Sequence, residues 1–175
     1  MMHGLPCSGK SYLAEKIAAL VPNAVVLKSI NFRKVHGTGY RCFDENNAQT
    51  KEDKDESYKL LCEATKTAVE NRKIPILDAT FHKRYRREYV YGLAKEADAK
   101  IIVIKSECDE QSMLERLKNR ASQNDKDAFL KSKRSFEIMK EQFDEIDEIK
   151  EDVFVKKVNE NQVGELMQWL KVILS

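Results

Sequence analysis

No apolar run in this 175-residue sequence is long enough to cross a bilayer. No secretory signal pattern precedes the first glycines, so a cytoplasmic protein without a membrane partner is expected. Internal repeats and low-complexity linkers are also missing. So is an excess of one charge: 31 Lys and Arg stand against 29 Asp and Glu, a formal net charge of +2. No overall field therefore draws the chain to nucleic acid or membrane, and any such contact must come from a local patch. Cys7, Cys42, Cys62 and Cys108 have neither C-x-x-C spacing nor the density of a disulfide scaffold, in keeping with a reducing compartment. Core-forming material is abundant: 42% of residues are hydrophobic, enough for one domain over 1–175.

The densest signal is "GLPCSGKS" at 4–11. Gly4, the four free positions Leu5, Pro6, Cys7 and Ser8, then Gly9, Lys10 and Ser11 satisfy G-x-x-x-x-G-K-[ST] in full. Each residue type has a reason. Glycines let the backbone turn sharply and bring its N–H groups close to an anion. The helix that follows adds its positive N-terminal end. Lys10 supplies a mobile cation for outer phosphates, and the Ser11 hydroxyl is a hard oxygen ligand for Mg²⁺. Tyr12 is grouped with the loop. ATP with Mg²⁺ is the expected cofactor pair. Cys7, near a helix N-terminus, is a candidate for a lowered thiol pKa. Only "MMH" precedes Gly4, whereas a central strand needs roughly five residues. Either that strand is very short or the natural chain starts a few residues earlier.

Leu13, Ile17 and Leu20 recur at helical spacing after Lys10; Pro22 ends that helix, and residues 24–27 read as a buried strand. Residues 44–55 read as a mobile surface loop, and 56–71 as a helix. "IPILDAT" at 74–80 is a buried strand ending in Asp78. A helix over 83–97, a strand over 100–106 and a helix over 109–121 capped by Asp109 follow. A longer helix is expected over 127–146 with Asp127 as its cap, then a strand over 152–158 and a closing amphipathic helix. Strands alternating with helices give the fold class: α/β, a P-loop NTPase with a parallel sheet of about five strands sandwiched between helices. A helical lid is expected over about 116–135. The site then lies at the carboxyl ends of the strands.

Asp78, ending a strand, is placed to hold Mg²⁺ opposite Ser11, with helix capping as the plain alternative. Thr80 either touches a phosphate or caps the next helix. "FHKRYRRE" packs Lys83, Arg84, Arg86 and Arg87 into five residues. Lys83 and Arg87 share a helical face and Arg84 sits beside Arg87, so some of these cations face the crevice and some face water. His82 reads as a surface histidine. Arg116 and Arg120 lie one helical turn apart before a polar break, where a lid arginine can neutralise charge on a transferred phosphoryl group.

"GLPCSGKS", "ILDATFHKRYRRE" and "MLERLKNR" with the long helix after it together resemble the P-loop kinases related to polynucleotide 5′-kinases, an AAA_33-type ATP-binding domain. Zeta-toxin-like and seryl-tRNA kinases are similar too. The resemblance covers about residues 3–150. It implies Lys10 and Ser11 at the ATP phosphates and Mg²⁺, Arg33 and Arg87 at the acceptor or its phosphate, and Arg120 as lid arginine. One departure stands out. The family carries an Asp base after the second strand, before an arginine; here the stretch is "VVLKSINFRK", Arg33 matches, and the Asp position falls on Ile30. A loose transition state demands little of a base, and the missing base is worth about 10²–10⁴-fold. The expected function is ATP-dependent phosphoryl transfer to a hydroxyl, with a nucleic-acid 5′-hydroxyl as leading acceptor. The alternatives are a small-molecule or tRNA-linked hydroxyl, transfer using Asp44 or Asp78 as base, and a nucleotide-binding or ATPase module without transfer.

Overall fold

The computed structural model describes residues 1–35, 46, 48–122, 133–147 and 150–174. Five strands alternate with helices: β1 Met2–His3, α1 Lys10–Leu20, β2 Ala24–Lys28, α2 Ser29–Val35, α3 Ala48–Glu70, β3 Ile74–Asp78, α4 Arg84–Glu96, β4 Ile101–Ser106, α5 Glu110–Ser122, α6 Lys133–Glu141, β5 Val153–Val158 and α7 Val163–Leu174. All pairings are parallel. β1 and β5 flank β4, with Met2 opposite Ile104 and Ser106 opposite Val158, while β2 pairs with β3 so that Lys28 lies opposite Asp78.

Among the described residues, the five strands form two hydrogen-bonded groups, β1-β4-β5 and β2-β3. They meet where Gly4 N donates to Thr80 O at 3.4 Å. β1 is only two residues long, and towards the amino ends of β3 and β4 lies a largely apolar cavity of about 630 Å³ lined by Leu77, Val90, Leu93 and Ile101.

Alternation along the strands decides which helix covers which face. Leu77 and Val103 point to one side, into a core with Tyr58, Leu61, Phe81, Val90 and Tyr91 from α3, the loop after β3, and α4. Met2, Ile76, Ile104 and Val158 point to the other, against Leu13 and Ile17 of α1 and Leu166 and Leu170 of α7. A smaller core, Met113, Leu117, Phe136 and Met139, joins α5 to α6 and packs against Leu5 and Cys7. The α5–α6 pair is thus docked directly on the glycine-rich loop. No helix among the described residues is long and apolar enough to cross a membrane.

Three sequence expectations need correction. Residues 48–55, read as loop, are the first two turns of α3: Thr50, Lys54 and Ser57 are buried, and Asp55 is fixed by partners on α4. The helix expected through 146 ends at Glu141, because the backbone beyond it is taken by other groups: Asp144 N donates to His82 O at 2.7 Å, and Asp144 O and Glu145 O accept from Arg87. His82 is buried and is no surface residue. Asp44, Asp127, Cys42 and the middle of the expected lid, 123–132, lie outside the described residues.

Candidate functional site

Gly4 to Gly9 bridge β1 and α1 at the carboxyl end of the sheet. Gly4 has φ of 144° and Gly9 99°, regions that favour glycine. At Gly4 space is closed as well: a Cβ would lie 2.7 Å from Ser106 O. Cys7 also takes a positive φ, 64°. Between these turns the loop's carbonyls are held from outside. Leu5 O accepts from Lys10 Nζ at 2.7 Å, Cys7 O from Arg116 Nη1 at 3.2 Å and Ser8 O from Ser106 Oγ at 2.5 Å. The first turn of α1 leaves its N–H groups without helical acceptors, as every helix start does. The loop therefore combines engaged carbonyls with a helix N-terminus, the arrangement that attracts an anion.

Lys10 is buried, and burial pushes its pKa down to about 8 against the opposing pull of Asp78. Cys7 does not behave as its place near a helix start suggested: burial raises its pKa and outweighs Arg120, Lys10 and Arg116. His3, under the loop, is driven to about 3 by burial and then by Arg87 and Lys105, so its imidazole is neutral. Ser11 and Tyr12 are exposed on the first turn of α1, and Pro6 and Ser8 are buried. A cavity of about 530 Å³ is lined by Cys7, Ser8, Gly9, Tyr12, Ser106, Arg116 and Arg120, among others. It gathers the loop, Arg116 and Arg120 in one place.

Asp78 ends β3, nine-tenths buried, and acts electrostatically on Lys10. Thr80 is buried beside Gly4, joined through its own carbonyl, and does not cap α4. That cap comes from across the chain: Asp144 Oδ2 accepts from Arg84 N at 3.0 Å. Asp109 does cap α5, accepting from Ser112 N at 2.8 Å.

The basic cluster at 83–87 is placed differently from expectation. Arg87 is fully buried, and its guanidinium donates to Phe81 O, Asp144 O and Glu145 O, each at 3.0 Å. It therefore ties the loop after β3 to the return after α6, and does not line the cavity at the glycine-rich loop. Arg86 is buried against Asp55 at 2.7 Å, 4.7 Å from the Tyr58 ring centre. Burial works to raise the pKa of Asp55, but bonds from Tyr85 and Arg86 win and hold it low. Lys83 faces Asp144, and Arg84, half exposed, faces Glu88 and Asp147. Arg33 is half-buried on α2, and so is Ile30.

Two partners escaped the sequence reading. Ser106 is the last residue of β4, directly after Lys105, and nothing in its neighbours marks it. Asp144 sits in "FDEID", which reads as part of an amphipathic helix. Spacing alone gives no sign that it meets residue 84.

Comparison with curated proteins gives no match. Among solved structures, Kti12 of Chaetomium thermophilum, in complex with ADP-AlF3, is similar: 16% identity, TM-score 0.73, covering 99% of this chain and 97% of that one. A protein of Chloroflexus aurantiacus provisionally named a kinase has 15% identity and TM-score 0.70, covering 97% and 95%. The protein APE1195 has 17% identity and TM-score 0.70, covering 99% and 94%. These likenesses establish a P-loop NTPase type of fold. The AAA_33 family model, described as an AAA domain, matches residues 1–146. A match over so much of its length means that the chain belongs to the AAA-domain family AAA_33.

Proposed function

We propose that this protein binds Mg·ATP at Gly4–Tyr12 and transfers the γ-phosphoryl group to a hydroxyl acceptor, within a single domain. The observation that carries the reading is one cavity shared by the glycine-rich loop, Arg116 and Arg120; the amine of buried Lys10 is held on the same loop, at Leu5 O. Lys10 and Arg116 rest on loop carbonyls and would exchange them for phosphate oxygens, a stronger charge-assisted contact. Kti12, similar in fold, was crystallised with ADP-AlF3, a nucleotide complex in keeping with this assignment.

The fit of a metal is supported by the donor set: an exposed Ser11 hydroxyl and the buried carboxylate of Asp78 suit a cation that takes its remaining oxygens from phosphates and water. Mg²⁺ bound there would neutralise charge on the phosphates. Arg120 and Arg116 would hold the transferred group from the lid side. On the acceptor side stand Arg33, Thr80 and Arg84. Arg87 supports this side through the backbone it holds, since its guanidinium is already committed. A nucleic-acid 5′-hydroxyl remains the leading acceptor, and a small-molecule or tRNA-linked hydroxyl is next.

A second reading, nucleotide binding without transfer, is favoured by α2, where Ser29–Val35 contains no carboxylate and Ile30 holds the base position. Incubation with labelled ATP and an acceptor panel including 5′-hydroxyl oligonucleotides separates the two. Label on an acceptor supports the kinase. Nucleotide binding with no labelled product supports the second reading, and absence of nucleotide binding overturns both.

A further inference from the structure

Among the described residues, three side chains hold carbonyls of the glycine-rich loop, and they differ in kind. Lys10 and Arg116 are cations, each with a stronger destination once phosphate enters the cavity. Ser106 is neutral and gains nothing by leaving. Its Oγ donates to Ser8 O at 2.5 Å, and it is buried at the carboxyl end of β4. Its main-chain oxygen also faces Gly4 closely enough to exclude a Cβ. One residue at a strand end thus contacts both limbs of the loop.

We infer that Ser106 is the positioning residue that aims the Gly9 N–H at the nucleotide's phosphates. This rests on the nucleotide-binding reading above. The argument is peptide geometry. Among the described residues no peptide bond is cis, and in a planar trans peptide the C=O of one residue and the N–H of the next point in opposite directions. Pulling Ser8 O down onto β4 therefore turns the Gly9 N–H away from the sheet. Gly9 itself, at φ of 99° with nothing but Ser106 Oγ within 4 Å of where its Cβ would be, imposes little constraint of its own. Without the tether the Ser8–Gly9 peptide is free to flip, and a flipped peptide presents a carbonyl oxygen to the phosphates. The cation tethers cannot substitute, because they act on Leu5 and Cys7.

The test is Ser106→Ala against Ser106→Thr in the full chain, measuring Mg·ATP affinity and thermal stability together. Ser106→Ala is expected to weaken Mg·ATP by about tenfold, the size of one lost hydrogen bond with its acceptor left unsatisfied. Ser106→Thr, which keeps the hydroxyl, should stay near the parent. In the parent, the Gly9 amide resonance should shift on adding Mg·ATP and become protected from exchange, and Ser106→Ala should diminish that shift. If Ser106→Ala folds poorly, the Gly9 amide in the parent still decides: a resonance unmoved by nucleotide overturns the inference. So does Ser106→Ala binding as tightly as a binding parent. A parent that binds no Mg·ATP overturns the proposed function and this inference with it.

Discussion

Two groups of cations stand at the carboxyl end of the sheet, and their surroundings differ. Arg116 and Arg120 border the cavity of the glycine-rich loop, and Lys10 rests on the loop's Leu5 O, with Asp78 exerting the main carboxylate pull on it. Lys83, Arg84, Arg86 and Arg87 meet Asp55, Glu88, Asp144, Asp147 and three backbone carbonyls. The first group has donors to redirect, while the buried pair of the second is spent on holding α3, α4 and the return after α6 together. A run of arginines near a strand end is thus no sufficient sign of a polyanion site. The number and placement of acids elsewhere in the chain decide whether such a run is internal cement.

Arg87→Ala should test that difference most strongly. It deletes a fully buried side chain and leaves three carbonyls without their donor, at a cost of about 3–5 kcal/mol, or roughly 10 °C in Tm for a domain of this size. Arg84→Ala, half exposed, should cost less than about 1 kcal/mol. An Arg87→Ala protein as stable as the parent but with salt-sensitive loss of an acceptor would restore Arg87 to the binding surface. On the other side of the comparison, Arg120→Ala should cut turnover about a hundredfold, while ATP affinity changes far less. Equal losses in both would mean that Arg120 serves binding.

Lys10→Ala should abolish the thermal stabilisation given by Mg·ATP, about 2.7 kcal/mol at a hundredfold excess over Kd in the parent. A retained shift would remove the loop from the binding site. Smaller still is the effect of restoring the family's carboxylate. Ile30→Asp should raise phosphotransfer by about tenfold, near 1.4 kcal/mol of barrier. Ile30 is half-buried at the start of α2, so the new carboxylate keeps some solvent. A folded variant that binds ATP with no gain on any acceptor would point to a base elsewhere or to binding without transfer. Asp78→Asn that loses transfer while keeping both ATP and Mg²⁺ would single out Asp78 as that base.

The gentlest probe is pH. Lys10 ordinarily titrates near 10.5 and is held at about 8 in the folded protein. Between those values the unfolded chain binds the extra proton, so this group's contribution to stability rises with pH across that window. A bound polyphosphate reverses the preference by favouring the ammonium. ATP binding near pH 8 should therefore take up a fraction of a proton, and affinity should decline as pH rises further. Calorimetry in two buffers of different ionisation enthalpy measures the uptake. Identical heats in both buffers would contradict the placement of Lys10 beneath the phosphates.

Local chemistry made most of the fold legible in sequence. Leu13 and Ile17 at helical spacing, Pro22 after them, and short branched runs at 74–78, 101–106 and 153–158 each specify an element without help from distant residues. So does the glycine-rich loop, whose spacing is a backbone requirement carried within eight residues. The sequence did not disclose α2, the helical start of α3 or the early end of α6. The last two boundaries depend on partners far along the chain: Asp55 on Arg86, and residues 144–145 on Arg87.

The sequence by itself determined an α/β chain of P-loop type with Gly4 to Ser11 as its glycine-rich turn, because those features follow from spacing and from which side chains tolerate which backbone. The tertiary structure alone decided how each cation is used. Arg87 and Arg116 look alike in sequence, yet one is enclosed by backbone carbonyls and the other borders a cavity. It also decided that Ser106, at the end of an unremarkable strand, touches the loop 98 residues before it. Those outcomes depend on long-range contacts, whose geometry exists only once the sheet has brought the strand ends together.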